Sequence, residues 1–101
     1  MVSTQTYIDY LQRCVIVHSY IYYELDNNVL TDKEYDTMAR ELSRLREEHP
    51  DLWKNSYYYK QFGDDYNGAT GFNLYHELDD RQKEIIRYIA HVIITEKKRR
   101  K

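Results

Sequence analysis

Ile8, Leu11, Val15, His18, Tyr22 and Leu25 follow one another at alternating steps of three and four, a spacing that puts them on one face of a helix over about residues 4–25. Asp26, Asn27 and Asn28 come next. Their short polar side chains compete for backbone hydrogen bonds and tolerate turn conformations, so the helix is expected to end there. A second three-four pattern runs through Tyr35, Met38, Leu42, Leu45 and His49. Thr31 and Glu34 have the spacing of a capping box, in which the hydroxyl accepts from the Glu34 amide and the carboxylate accepts from the Thr31 amide. Leu30 and Tyr35 stand where a hydrophobic staple would place them. Pro50 predicts a stop near Glu48 or His49. A turn of only about five residues between two such helices favours an antiparallel hairpin.

Residues 51–77 lose the helical period. Tyr57, Tyr58 and Tyr59 stand in a row, and the stretch from Gly63 to Gly71 holds all three glycines. Phe72, Leu74, His76 and Leu78 alternate, which allows a short strand or a β-hairpin across the glycine-rich turn, or an irregular loop. Asp79 and Gln82 repeat the capping-box spacing and open a third helix over about residues 80–97. Its wide apolar face, Ile85, Ile86, Ile89, Val92 and Ile93, is expected to cover the hairpin. The predicted fold is mainly α: a single domain over residues 1–96 and a basic tail at 97–101.

Composition supports a folded chain, because 42% of the 101 residues are hydrophobic and one proline and three glycines interrupt them. A chain of this length supports one core. The net charge of −2 hides an asymmetry, since Lys97 to Lys101 supply five of the 15 basic residues and residues 1–96 carry 10 basic against 17 acidic residues. An acidic body repels phosphate backbones, so nucleic acid is not an expected partner except through the tail. Cys14 is the single cysteine and no apolar stretch reaches membrane-spanning length. The reducing cytosol is therefore the expected compartment, and no membrane partner is expected.

The stretch His18-Ser-Tyr-Ile-Tyr-Tyr-Glu-Leu-Asp, then Leu30-Thr-Asp-Lys-Glu-Tyr-Asp, then Arg40-Glu-Leu-Ser-Arg-Leu-Arg-Glu-Glu-His-Pro-Asp-Leu, resembles the N-terminal domain of bacterial NAD-dependent DNA ligases. The resemblance spans roughly residues 11–52. It implies a domain that grips the nicotinamide mononucleotide half of NAD while a separate nucleotidyltransferase domain holds the adenylate. It also implies a cofactor site made of Tyr22, Tyr23, Asp32, Tyr35 and Asp36, with Tyr22 against the nicotinamide ring. Tyr23 stands where the family usually has histidine, and a phenol does not carry imidazole's charge near neutral pH. These residue types suit such a ligand on their own chemistry. Oxidised nicotinamide is a flat cation, which an aromatic face attracts by about 0.5–2 kcal/mol. Asp32 and Asp36 can accept hydrogen bonds from ribose hydroxyls or the carboxamide. Tyr22 and Tyr35 also lie on apolar stripes, where tyrosine commonly packs a core.

Other chemistry is weaker. No lysine opens the Lys-x-Asp-Gly pattern that adenylation requires, so ligation by this chain alone is not expected. Cys14 and His18 make only two metal ligands on one helix, fewer than zinc takes, so no metal is expected. Asp65, Asn67 and Gly68 echo a calcium loop whose first and last ligand positions hold Gly63 and Leu74. Two functions follow. The first is a noncatalytic module that holds NAD or nicotinamide mononucleotide and sequesters or presents it. The alternative is a small, virus-encoded interaction protein that keeps the hairpin and binds a host or cognate protein. Its basis is the supply of 12 tyrosines, with Tyr57, Tyr58 and Tyr59 as the surface.

Overall fold

A computed structural model describes residues 3–27, 29–68 and 73–99, and among them the secondary structure is helical. Helix α1 spans Thr4–Glu24, α2 Asp32–Glu48, α3 Pro50–Lys54, α4 Tyr59–Phe62 and α5 Asp80–Arg99. The mainly α architecture expected from the periodicity is the one observed.

Helix α1 is capped by Ser3, whose hydroxyl accepts from the Thr6 amide at 3.1 Å. It is the hub of the molecule. The single stripe read from its sequence understates its burial, since Ile8, Leu11, Gln12, Val15, Ile16, Val17, Ser19 and Ile21 are all enclosed. Both α2 and α5 pack along it, and α3 touches it as well. Enclosure of Gln12 is compensated locally. Its amide donates to the Ser56 hydroxyl at 2.8 Å and its carbonyl accepts from the Tyr58 amide at 3.2 Å, so a buried polar group keeps its partners.

The chain leaves α1 through Asp26, which takes a positive φ of 49°, a conformation that aspartate tolerates better than most side chains. Thr31 and Glu34 form the reciprocal capping box, at 2.9 and 3.1 Å. Asn28, part of the expected turn, lies outside the described residues. The return is antiparallel: Ser19 meets Tyr35 near the turn, and Tyr7 meets Glu41 further along. Pro50 ends α2 and serves as the first residue of α3, where its missing N–H costs nothing.

No strand or β-hairpin forms among the described residues of the middle segment, which corrects that expectation. Residues 73–78 close helical turns instead, with the Glu77 amide on the Asn73 carbonyl and the Leu78 amide on the Tyr75 carbonyl. The reason is the face that needs burial. Leu74, Tyr75 and Leu78 are buried while His76 and Glu77 are exposed, a helical rather than an alternating pattern. Phe72 and Gly71, on which the strand reading also leaned, lie outside the described residues.

Asp79 and Gln82 build the second capping box, at 3.1 and 2.8 Å. Helix α5 then buries Ile86 and Ala90 and half-buries Ile89, Ile93 and Ile94, leaving Ile85 and Val92 exposed. The face turned to the core is narrower than the apolar run in the sequence, and it includes Ala90, which is fully buried. Helix α5 continues to Arg99, so the start of the basic tail is helical. Arg100 and Lys101 lie outside the described residues.

Candidate functional site

The closed end of the α1–α2 hairpin borders a cavity of about 630 Å³. That falls within the roughly 300–1,000 Å³ of small-molecule sites. The last turns of α1 supply His18, Ser19, Ile21, Tyr22 and Tyr23. The turn supplies Asn27, Val29 and Leu30, and the first turns of α2 supply Thr31, Asp32, Lys33, Tyr35 and Asp36. Gly68 closes it from a distant part of the chain. All five residues singled out for the cofactor, Tyr22, Tyr23, Asp32, Tyr35 and Asp36, line this one space.

Each is positioned by its element. Ile21 is the last core residue of α1, so the two tyrosines after it emerge, Tyr22 at 51% and Tyr23 at 46% exposure. Their rings meet edge to face with centroids 4.9 Å apart, a favourable aromatic geometry. Tyr35 faces inward from the first turn of α2, and its hydroxyl lies 2.7 Å from the Ser19 hydroxyl. Burial pushes the Tyr35 phenol up, more than the Ser19 hydrogen bond pulls it down, so it is a neutral donor and acceptor at physiological pH. Asp32 and Asp36 are exposed on the first two turns of α2. The Asp36 carboxylate sits 3.0 Å from the Arg40 guanidinium one turn on. Such an exposed pair is weak, worth a few tenths of a kcal/mol up to about 1 kcal/mol, and leaves the carboxylate open to a ligand.

The cavity also gathers residues that the cofactor assignment omitted. His18, on the same stripe as Tyr22, is half-buried, and burial lowers its pKa so that the imidazole is neutral near pH 7. Lys33, between Asp32 and Asp36 in sequence, also lines the cavity. The i−4 spacing of His18 from Tyr22 and the place of Lys33 inside the Asp-x-x-Tyr-Asp run were available as signals. Gly68 had no local signal, because its place depends on contacts far away in sequence. Arg46 of α2 donates from Nε to the Tyr66 carbonyl at 2.6 Å and from a terminal nitrogen to the Asp64 carbonyl at 2.7 Å. Trp53 of α3 donates its indole N–H to the Gly63 carbonyl at 2.8 Å. These bonds hold the segment from Gly63 to Tyr66 against α2 and α3, and Gly68, at a φ of 82°, comes so close that an added Cβ would lie 3.4 Å from the Ala39 Cβ and carbonyl oxygen.

Cys14 is half-buried one turn before His18, and burial pushes its thiol up, away from the reactive thiolate. Among the described residues, no three His, Cys, Asp or Glu side chains are grouped to hold a metal ion. The tyrosine row is split by the core. Tyr57 is 57% exposed, Tyr58 only 2%, and Tyr59 is half-buried against the core cluster. Among the described residues, no helix is long and apolar enough to cross a membrane.

Comparison with known proteins bears on the same half of the chain. A family model described as "DNA ligase-like, N-terminal NAD+-binding domain" matches residues 1–56. The DNA ligase of Psychrobacter cryohalolentis is 45% identical over 60 residues, 59% of this chain and 8% of the ligase. The DNA ligase of Endomicrobium trichonymphae is 42% identical over 50 residues, 50% of this chain and 7% of the ligase. That of Bacillus subtilis is 48% identical over 42 residues, 42% of this chain and 6% of the ligase. The chain thus spans less than a tenth of the length of these relatives. No solved structure matches it significantly.

Proposed function

The chain belongs to the family of DNA ligase-like, N-terminal NAD+-binding domains, and from that premise we propose that it is a noncatalytic module that binds NAD or nicotinamide mononucleotide at the closed end of the α1–α2 hairpin. It holds the nicotinamide half of the ligand and either sequesters it or presents it to a nucleotidyltransferase that lies outside this sequence. The observation that carries this reading is the convergence of Tyr22, Tyr23, Asp32, Tyr35 and Asp36 on one cavity of about 630 Å³. The two exposed tyrosines offer aromatic faces to the cationic ring. Asp32 and Asp36 add attraction for that charge and accept from hydroxyl or carboxamide donors. Tyr35, already anchored on Ser19, offers an oriented hydroxyl whose position is set before the ligand arrives.

Isothermal titration calorimetry with NAD and with nicotinamide mononucleotide tests the reading. Binding is expected for both, with amide chemical-shift changes at Tyr22 and Asp36. Tyr22→Ala and Asp36→Asn, both exposed positions whose loss spares the core, should each weaken binding roughly tenfold. Absence of heat and of shift changes at millimolar ligand would end the proposal.

A further inference from the structure

We infer that Lys33 takes the phosphate on the nicotinamide side of the ligand, so that the pocket selects a nucleotide over the corresponding nucleoside. The inference rests on the nucleotide-binding reading above and names the residue and the ligand group that it leaves open. A nicotinamide nucleotide joins a cationic ring to an anionic phosphate, and the two ask for opposite surroundings. The tyrosines and aspartates of the cavity serve the ring. For the phosphate, the described lining residues include one side chain that is positive near neutral pH, and it is Lys33. His18 lines the same space, but burial keeps its imidazole neutral. Arg40, paired with Asp36 at 3.0 Å, is not among the residues that line the cavity.

Neither the cap nor the buried face of α2 uses the Lys33 side chain. It sits in the first turn of α2, where the helix dipole disfavours a cation, between Asp32 and a Glu34 that is committed to the capping box. Its side chain is exposed and forms no ion pair with a described residue. An exposed lysine that lines the cavity and that the helix dipole disfavours gains a partner when a phosphate enters.

Calorimetry on the full chain with nicotinamide riboside and nicotinamide mononucleotide, for the wild type, Lys33→Gln and Lys33→Arg, tests this. The wild type should bind the mononucleotide more tightly than the riboside by roughly tenfold. Lys33→Gln should remove that preference, leave riboside binding unchanged and flatten the salt dependence of mononucleotide binding, while Lys33→Arg should keep the preference. An equal loss for both ligands, or a loss for neither, with unchanged circular dichroism, overturns the role of Lys33 and leaves the nicotinamide pocket standing. Failure of both ligands to bind the wild type at millimolar concentration overturns this inference together with the reading on which it rests.

Discussion

The imidazole of His18 borders both the core and the candidate pocket, and its charge affects each of them. Burial lowers its pKa below the ordinary value of 6.5, so as pH falls through that value the unfolded chain binds a proton that the folded chain refuses. Above that window the group contributes no pH dependence. Below it, folding loses stability until the folded pKa is reached. Thermal denaturation between pH 7.5 and 5.5 should therefore show a falling melting temperature, and His18→Asn should flatten the slope. An identical slope in the variant would place the effect elsewhere. At this scale the local motif is enough to single out Tyr22, Tyr23, Asp32, Tyr35 and Asp36, and the fold brings these five candidates to one cavity. The tyrosine row was not legible in this way. Adjacent helical or turn residues point in different directions, so Tyr57 reaches solvent while Tyr58 is buried with its backbone amide on Gln12.

Among the elements, α2 is specified most locally. Its capping box, its apolar stripe and the proline beyond its end all agree with the helix observed, Asp32–Glu48. Because the same box fixes the segment carrying Asp32, Tyr35 and Asp36, Thr31→Ala should cost about 1 kcal/mol of stability. For a chain of this size that is a fall in melting temperature of roughly 4–8 °C. Urea denaturation followed by circular dichroism measures it, and a change under about 0.3 kcal/mol would show that the cap is redundant. Helix α1 was legible in its extent but not in its surroundings. A three-four stripe marks a helix with one buried face, whereas α1 has neighbours on several sides, and the buried Gln12 is identified only by the Ser56 and Tyr58 groups that it bonds. The segment at 73–78 misled because Leu74, His76 and Leu78 alternate, whereas Tyr75 supplies the buried neighbour that makes the pattern helical.

Taken whole, the molecule does not divide where the family resemblance ends. Of the 17 described residues in the buried core cluster, eight follow residue 56: Tyr58, Phe62, Tyr66, Leu74, Tyr75, Leu78, Ile86 and Ala90. They enclose α1 and Trp53, whose ring stacks on Tyr66 at 6.0 Å and meets the edge of Phe62 at 5.9 Å. A fragment ending at Ser56 should therefore lose most of the stability of the full chain, on the order of 5–15 kcal/mol for a domain, and melt without a cooperative transition. A sigmoidal urea curve for that fragment, with a midpoint near that of the full chain, would contradict this.

The helices, their caps, the direction of the hairpin and the identity of the residues at its closed end are legible locally, because they depend on side chains within a few positions of one another. Packing between distant segments settles which faces of α1 and α5 are covered, which of the three adjacent tyrosines is buried, and how Gly68 comes to line the pocket. Those outcomes rest on contacts between positions far apart in sequence, such as Arg46 on the carbonyls of Asp64 and Tyr66 and Trp53 on that of Gly63. A local pattern records that a side chain is able to be buried, and only the assembled neighbours determine whether it is.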